Sequence, residues 1–217
     1  MAIKAFIFDL DGVIVFTDRY HYLAWKAIAD ELGIYFDETI NHRLRGVSRM
    51  ESLEIILEKY EGPKLREEQK EALAEKKNRI YRELLGGMSP EDVSEETRYT
   101  LRALRERKFG VALGSSSKNA KYILKKVGLS DAFDKISDGT NITKSKPDPE
   151  VFLKAAEFLG VKPEERAVVE DACSGIEAAK RAGMAAVAIG DACRCELADY
   201  RIECLKEILE IPMAAGG

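Results

Sequence analysis

Two pairs of carboxylates stand far apart in this chain: Asp9 and Asp11, separated by Leu10 and followed by Gly12, and Glu170 directly beside Asp171. Each pair closes a short apolar run. In extended backbone, residues two apart face the same way, so Asp9 and Asp11 point together. If the second pair lies alongside, the four cannot all stay ionised unless a cation neutralises them. The donors are hard oxygens, not histidine or cysteine, and that set favours Mg²⁺, which keeps waters and also contacts a substrate phosphate. Lys146, in the loop TKSKPDPE, is placed to hold a phosphoryl oxygen at the edge of such a site, and a hydroxyl such as Ser115 to hold another. Taken singly, either acidic pair reads equally well as a turn or a helix cap. Ordered along the chain as DxD, Ser, Lys and ED, they point to phosphoryl chemistry.

Such groups converge only if the strands carrying them end at one edge of a sheet. The runs IKAFIF before Asp9, VALGSSS at 111–117, the weaker FDKIS at 133–137, AVVED at 167–171 and AAVAIG at 185–190 lack in/out alternation, and helical patterns separate them. That predicts a doubly wound α/β fold, a parallel sheet covered on both faces, with ligands bound beyond the carboxyl ends of its strands. Helices are expected from Ser117/Lys118 to Gly128, from Pro149 to Gly160 and from Ser174 to Gly183. Residues 17–88 break the rhythm with three helix-period segments (DRYHYLAWKAIADEL, SRMESLEIILEKY, REEQKEALAEKKNRIYRELL) and no convincing strand. They read as a helical cap inserted after the first strand, 17–88, over an α/β core of 1–16 and 89–217. GGMSPEDVSEE at 86–96 is then the return linker, with hinge motion where the chain crosses twice. The terminal MAAGG reads as a frayed tail.

Composition narrows the partners. With 217 residues, 46% hydrophobic and 33% charged, and a formal net charge of -4, the chain has core enough for a globular protein and no overall field to draw in nucleic acid or an anionic membrane. Any phosphate must be held by local groups. No apolar stretch approaches the roughly 20 residues of a membrane span, and Asp9 and Asp11 interrupt the first apolar run, so a cytoplasmic location is expected. Cys173, Cys193, Cys195 and Cys204 show no CxxC spacing and read as reduced thiols, a Cys193/Cys195 redox pair being the alternative.

The stretch Phe8-Asp9-Leu10-Asp11-Gly12-Val13, with Ser115, Lys146-Pro147 and Glu170-Asp171, resembles the four motifs of the haloacid dehalogenase (HAD) phosphotransferases and spans nearly the whole chain. Tyr20-His21 with Ala24-Trp25-Lys26-Ala27, Arg45-Gly46-Val47-Ser48-Arg49 with Ser52-Leu53, Lys76-Lys77-Asn78 and Ser115-Ser116-Ser117-Lys118-Asn119 are similar to the β-phosphoglucomutase family within it. The resemblance implies that Asp9 is a nucleophile forming an aspartyl phosphate, with Asp11 as general acid and base. It implies one Mg²⁺ held by Asp9, the backbone of Asp11, Glu170 and Asp171, with Ser115 and Lys146 on the transferring group. Thr17 and His21 would orient Asp11 as the cap closes. It also implies β-glucose 1,6-bisphosphate as an activating intermediate, whose distal phosphate Arg49, following Gly46-Val47-Ser48, would clamp from the cap while Ser117, Lys118 and Asn119 donate from a helix N-terminus in the core.

Trp25 and Lys77 are implied substrate contacts as well, although by composition Trp25 reads as cap core and Lys77 as part of a solvated charged run. One departure from the family stands at Phe16, where Asp is usual, and it bears on the hinge. A sugar-phosphate phosphatase of the same superfamily shares every core motif; only RGVSR argues for the mutase. A receiver-like phosphoacceptor module also sets carboxylates around Mg²⁺ but needs no cap. A small sugar phosphate is the expected partner of a monomeric protein, with neither nucleic acid nor membrane, and the sugar itself is open.

Overall fold

The computed structural model describes residues 3–211; the expected MAAGG tail lies outside them. Six parallel strands, β1 (Ala5–Phe8), β2 (Gly110–Gly114), β3 (Lys135–Ser137), β4 (Arg166–Glu170), β5 (Ala185–Ile189) and β6 (Tyr200–Ile202), form one sheet in the order β3-β2-β1-β4-β5-β6. This is the doubly wound α/β arrangement, and its order reverses beside β1. Ala5 of β1 stands between Gly110 of β2 and Arg166 of β4, so the first strand is central.

Helices cover both faces because the strands are apolar on both. Phe6 and Phe8 face an apolar cluster that includes residues of α5 (Glu95–Glu106) and α6 (Ala120–Lys126), while Ile7 and Val168 face α7 (Glu150–Leu159) and α8 (Cys173–Arg181). At about 25 cal/mol per Å² of apolar area removed from water, these two clusters carry most of the core's hydrophobic stabilisation.

Between β1 and β2 the chain makes a helical excursion: α1 (Asp18–Glu31), α2 (Glu38–His42), α3 (Arg49–Leu57) and α4 (Glu67–Leu85). These helices bury an apolar cluster of their own, with Trp25, Ile28, Phe36, Leu53 and Ile56 among its members. The start of α3 is fixed by a capping box: Ser48 Oγ accepts from Glu51 N–H, and the Glu51 carboxylate accepts from Ser48 N–H.

Four details depart from the sequence reading. The edge strand β6 is unanticipated, and so is the five-residue α2, capped by Asp37. The stretch read as a return linker contains a 3₁₀ turn at Pro90–Asp92, and α5 begins within it at Glu95. Finally, α6 starts at Ala120 rather than at Ser117/Lys118, because Ser117 Oγ accepts the Asn119 N–H and folds those residues into a turn before the helix. Ser117 and Lys118 therefore offer turn donors, not a helix N-terminus. Among the described residues, no helix is long and apolar enough to cross a membrane.

Candidate active site

The strands that end together bring the sequence's reactive residues together. The ladder of β1 continues one residue past its end, with Asp9 N–H on Val169 C=O at 3.0 Å, and beyond β2 Ser115 N–H meets Ser137 C=O at 3.0 Å. Glu170 is the last residue of β4. After Asp9 the chain turns sharply at Gly12, whose φ is +83° and where a Cβ would lie 2.1 Å from Asp171 Oδ2. Only glycine lets the turn pass this close to the second acidic pair.

Carboxylate oxygens of Asp9, Glu170 and Asp171 lie within 4.8 Å of one another. Lys146 Nζ, 3% exposed, donates to Asp9 Oδ1 at 2.5 Å and also to Glu170 Oε1. Burial alone would pull its pKa down, but the two carboxylates outweigh burial and raise it, so this lysine is charged. Burial pushes Glu170 and Asp171 up, and each is pushed further by its acidic neighbours. Three clustered oxygen donors, with Glu170 and Asp171 both resisting ionisation when unneutralised, fit a hard divalent cation such as Mg²⁺. The Asp11 carboxylate is not part of this set.

Asp11 instead accepts from the Thr17 hydroxyl, which in turn accepts from Tyr81 OH at 3.1 Å. Thr17 is fully buried just before α1, and Tyr81 reaches it from α4. Burial first and the Asp9 charge second raise the Asp11 pKa to about 7, against the bond from Thr17 and the charges of Lys146 and Lys77. A carboxyl that titrates near neutrality can both give and take a proton.

His21 was expected to orient Asp11, but its hydrogen bond among the described residues is to Lys77 Nζ, 2.8 Å from Nδ1. Its ring lies against Tyr81, with centroids 4.1 Å apart. Burial, Lys77 and Arg49 hold the imidazole pKa well below its usual value, so it is neutral and accepts from the lysine. Lys77 is buried, with Nζ 4.9 Å from the Trp25 ring centroid and 4.5 Å from that of Tyr81. Burial and the Arg49 charge lower its pKa to about 7. The charged run that composition would solvate therefore turns one lysine inward. Trp25 belongs to the apolar cluster of the helical segment and also faces the cleft.

All these groups except Thr17 line one cleft of about 690 Å³, together with Gly46, Val47, Ser48, Arg49, Ser115, Ser117, Lys118 and Asn119. Phe16 stands at its rim, 76% exposed. Away from the acidic cluster, Asn78 Oδ1 accepts from Arg49 Nη2 at 3.0 Å and from Asn119 Nδ2 at 2.9 Å. Asn78 thus bridges α3, α4 and the loop after β2. The sequence reading assigns neither Asn78 nor Tyr81 a role. The signal was present in the helical spacing of α4, where Lys77 and Tyr81 are i, i+4 neighbours on one face.

The raised carboxyls have a measurable consequence. A carboxyl whose pKa is higher folded than unfolded binds more protons in the native state, so stability falls as pH rises from about 4 through the raised folded values of Glu170 and Asp171, which burial and their acidic neighbours push up. In excess chelator that penalty is present at pH 8 and largely absent at pH 5. Added Mg²⁺ should therefore raise the melting temperature more at pH 8 than at pH 5, by several degrees, read by differential scanning fluorimetry. An equal rise at both pH values, or none, would remove the metal from this cluster.

The parallel sheet with its acidic cluster past the carboxyl ends defines a class. The chain belongs to the haloacid dehalogenase-like hydrolase family, whose model matches residues 3–183. It is 46% identical to the β-phosphoglucomutase of Bacillus subtilis (strain 168) over 189 residues, 86% of this chain and 83% of that protein. A phosphorylated carbohydrates phosphatase of Thermotoga maritima is 33% identical over 183 residues, 83% of this chain and 82% of that one. The crystal structure of a β-phosphoglucomutase from Clostridium difficile superposes with a TM-score of 0.88 at 38% identity, covering 95% of this chain and 93% of that chain.

Proposed function

We propose that this enzyme interconverts β-D-glucose 1-phosphate and glucose 6-phosphate through an aspartyl phosphate on Asp9 and a β-glucose 1,6-bisphosphate intermediate, with residues 17–88 acting as a helical cap over a core of 1–16 and 89–217. The observation that carries this reading is that one cleft holds two separate sets of cationic and hydrogen-bond-donating groups of the kind that bind phosphate. Lys146 and Ser115 stand at the acidic cluster, and Arg49 stands with Ser117, Lys118 and Asn119 at the Asn78 bridge. An enzyme acting on a monophosphate needs one such set; a bisphosphate held at both ends needs two.

In one half-reaction the phosphoryl group rests on Asp9. A sugar hydroxyl attacks phosphorus, the bond from phosphorus to the Asp9 carboxylate breaks, and Asp11 takes the hydroxyl proton. The bisphosphate then presents its other end, Asp9 attacks that phosphorus, and Asp11 returns the proton to the departing sugar oxygen. Thr17 and Tyr81 hold Asp11 in place. Mg²⁺, held by Asp9, the Asp11 backbone, Glu170 and Asp171, would supply charge neutralisation for the transferring group. Neutral His21 accepts from Lys77 Nζ and so holds a lysine that lines the cleft.

The test compares formation of glucose 6-phosphate from β-glucose 1-phosphate, read through a coupled dehydrogenase, with release of inorganic phosphate. Isomerisation should dominate; phosphate release alone would make the protein a phosphatase, as its Thermotoga relative is named. Arg49→Ala should lower isomerisation by about ten- to a hundredfold, the worth of a desolvated charged hydrogen bond, and Arg49→Lys by less, since Lys keeps the charge without the planar fork. Phosphorylation of Asp9 by acetyl phosphate, which has no distal phosphate, should hardly change. Equal loss of both reactions would place Arg49 in the fold instead of the site.

A further inference from the structure

On the lining of the same cleft, the helical segment touches the core through Arg45 and Asp191, residues to which the proposed reaction assigns no step. Arg45, in the loop between α2 and α3, donates from Nη1 to Asp191 Oδ2 at 2.7 Å. The same guanidinium reaches back to α1, with Nη2 3.1 Å from Asp18 Oδ2 and Nε 3.4 Å from Asp18 Oδ1. Asp191 belongs to the core, in the 3₁₀ turn Gly190–Arg194 that follows β5. One planar side chain therefore ties a helical-segment carboxylate, Asp18, to a core carboxylate that lies 146 residues beyond Arg45 itself.

The next residue makes a second contact. Gly46 has φ +76°, and a Cβ there would lie 2.2 Å from Ser174 Oγ on the first turn of α8. That hydroxyl is buried and has no hydrogen-bond partner among the described residues. The loop backbone lies directly on the core helix, only a few residues beyond Asp171. It then continues into Val47, Ser48 and Arg49. Where the loop sits at Gly46 fixes where Arg49 sits relative to Asp9.

We propose that Arg45 is a positioning residue that docks the cap loop on the core through Asp191, with Gly46 seated on Ser174, and that this docking sets how the phosphoryl group on Asp9 partitions between a sugar hydroxyl and water. The second half of the proposal rests on the phosphomutase reading. With the loop docked, a sugar hydroxyl takes the phosphoryl group as described above. With it undocked, water enters and attacks phosphorus, the bond to Asp9 breaks, Asp11 accepts the water proton, and Asp9 carboxylate and inorganic phosphate result. The Arg45–Asp191 pair is partly exposed, so it contributes a modest preference for the docked form, about two- to fivefold in population, which weakens with salt; the pair with Asp18 stays within the helical segment and holds the guanidinium in place.

The experiment is a charge-reversal cycle: Arg45→Asp, Asp191→Arg and the double variant, each first shown by circular dichroism to be folded. Hydrogen exchange followed by mass spectrometry reads docking without any turnover. Amides of residues 44–50 and 172–176 should exchange about two- to fivefold faster in each single variant and return most of the way in the double variant, where the pair is re-formed with its charges exchanged. In parallel, protein phosphorylated by acetyl phosphate is supplied with β-glucose 1-phosphate, and the ratio of phosphate released to glucose 6-phosphate formed is measured. That ratio should rise in the single variants and fall back in the double. Unchanged exchange in both single variants, or a double variant as fast as the singles, overturns the docking role. Faster exchange with an unchanged ratio overturns the control of partition. If the wild type forms no glucose 6-phosphate, the phosphomutase reading fails, and the exchange data still decide whether Arg45 docks the loop.

Discussion

Asp9→Asn should leave turnover below about one part in ten thousand of wild type, the scale on which removing a nucleophile acts, while the protein stays folded. The amide neither attacks phosphorus nor carries the charge that helps hold a cation. Its oxygen still accepts from Lys146, the partner of Asp9 at 2.5 Å, so the buried ammonium keeps its second acceptor and the fold has no reason to open. Two measurements check this. Acetyl phosphate should add 80 Da to wild-type protein and nothing to the variant, by intact-mass spectrometry, with the mass increment being that of a phosphoryl group on an oxygen, about 80 Da. The rise in melting temperature with Mg²⁺ should shrink, because one of three clustered carboxylates is gone. A variant that still becomes phosphorylated would put the covalent step on another residue.

Lys146→Ala should be the most damaging substitution for stability. Lys146 is 3% exposed and bridges Asp9 to Glu170, and without it those two carboxylates face each other and Asp171 with no ion-pair partner among the described residues. Removing one partner from a buried ion pair costs about 3–5 kcal/mol. Protonation can relieve part of that cost, because burial and mutual repulsion already raise Glu170 and Asp171. The loss, measured by urea unfolding in chelator, should therefore be smaller at pH 5 than at pH 8. Catalysis should fall by about a hundred- to a thousandfold even with Mg²⁺ present, as when a donor to developing charge is removed. A loss of less than about 1 kcal/mol at pH 8, within the range of an exposed pair, would mean that the cluster is not held by this lysine.

The fold class was legible because β1, β2, β4 and β5 are unalternating apolar runs, the pattern of strands buried on both faces. β6 was not, since Tyr200–Ile202 is a three-residue edge strand whose middle residue is Arg201, and only pairing with β5 makes it a strand. α2 was hidden for the same reason: five residues carry too little periodicity, and tertiary packing supplies the rest.

In the site, Asp9, Glu170 and Asp171 could be placed from strand ends, and Lys146 from the loop after β3, because topology rather than side-chain detail brings them together. The surroundings of Asp11 could not. That Tyr81 reaches Thr17, that His21 pairs with Lys77, and that Asn78 links Arg49 to Asn119 are all contacts from the helical segment. They depend on how α1 and α4 pack and how they sit over the sheet, and no local pattern encodes that. Lys77 is the sharpest instance: EKKNR reads as solvated, yet the second lysine is buried against Trp25 and Tyr81.

The central position of β1 has a consequence for biosynthesis. AFIF leaves the ribosome well before its two ladder partners, which start at Gly110 and Arg166. At about 5–20 residues per second, some ten to thirty seconds separate its synthesis from that of β4. Until β2 is made a wholly apolar strand has two unpaired edges, and until β4 is made it keeps one, the condition under which nascent chains aggregate or recruit chaperones. The helices that come next in the chain have no such wait, since Trp25, Phe36, Leu53 and Ala74 find their apolar partners within residues 22–80. The order of assembly should therefore invert the order of the chain: the inserted helices first, the strand they follow last.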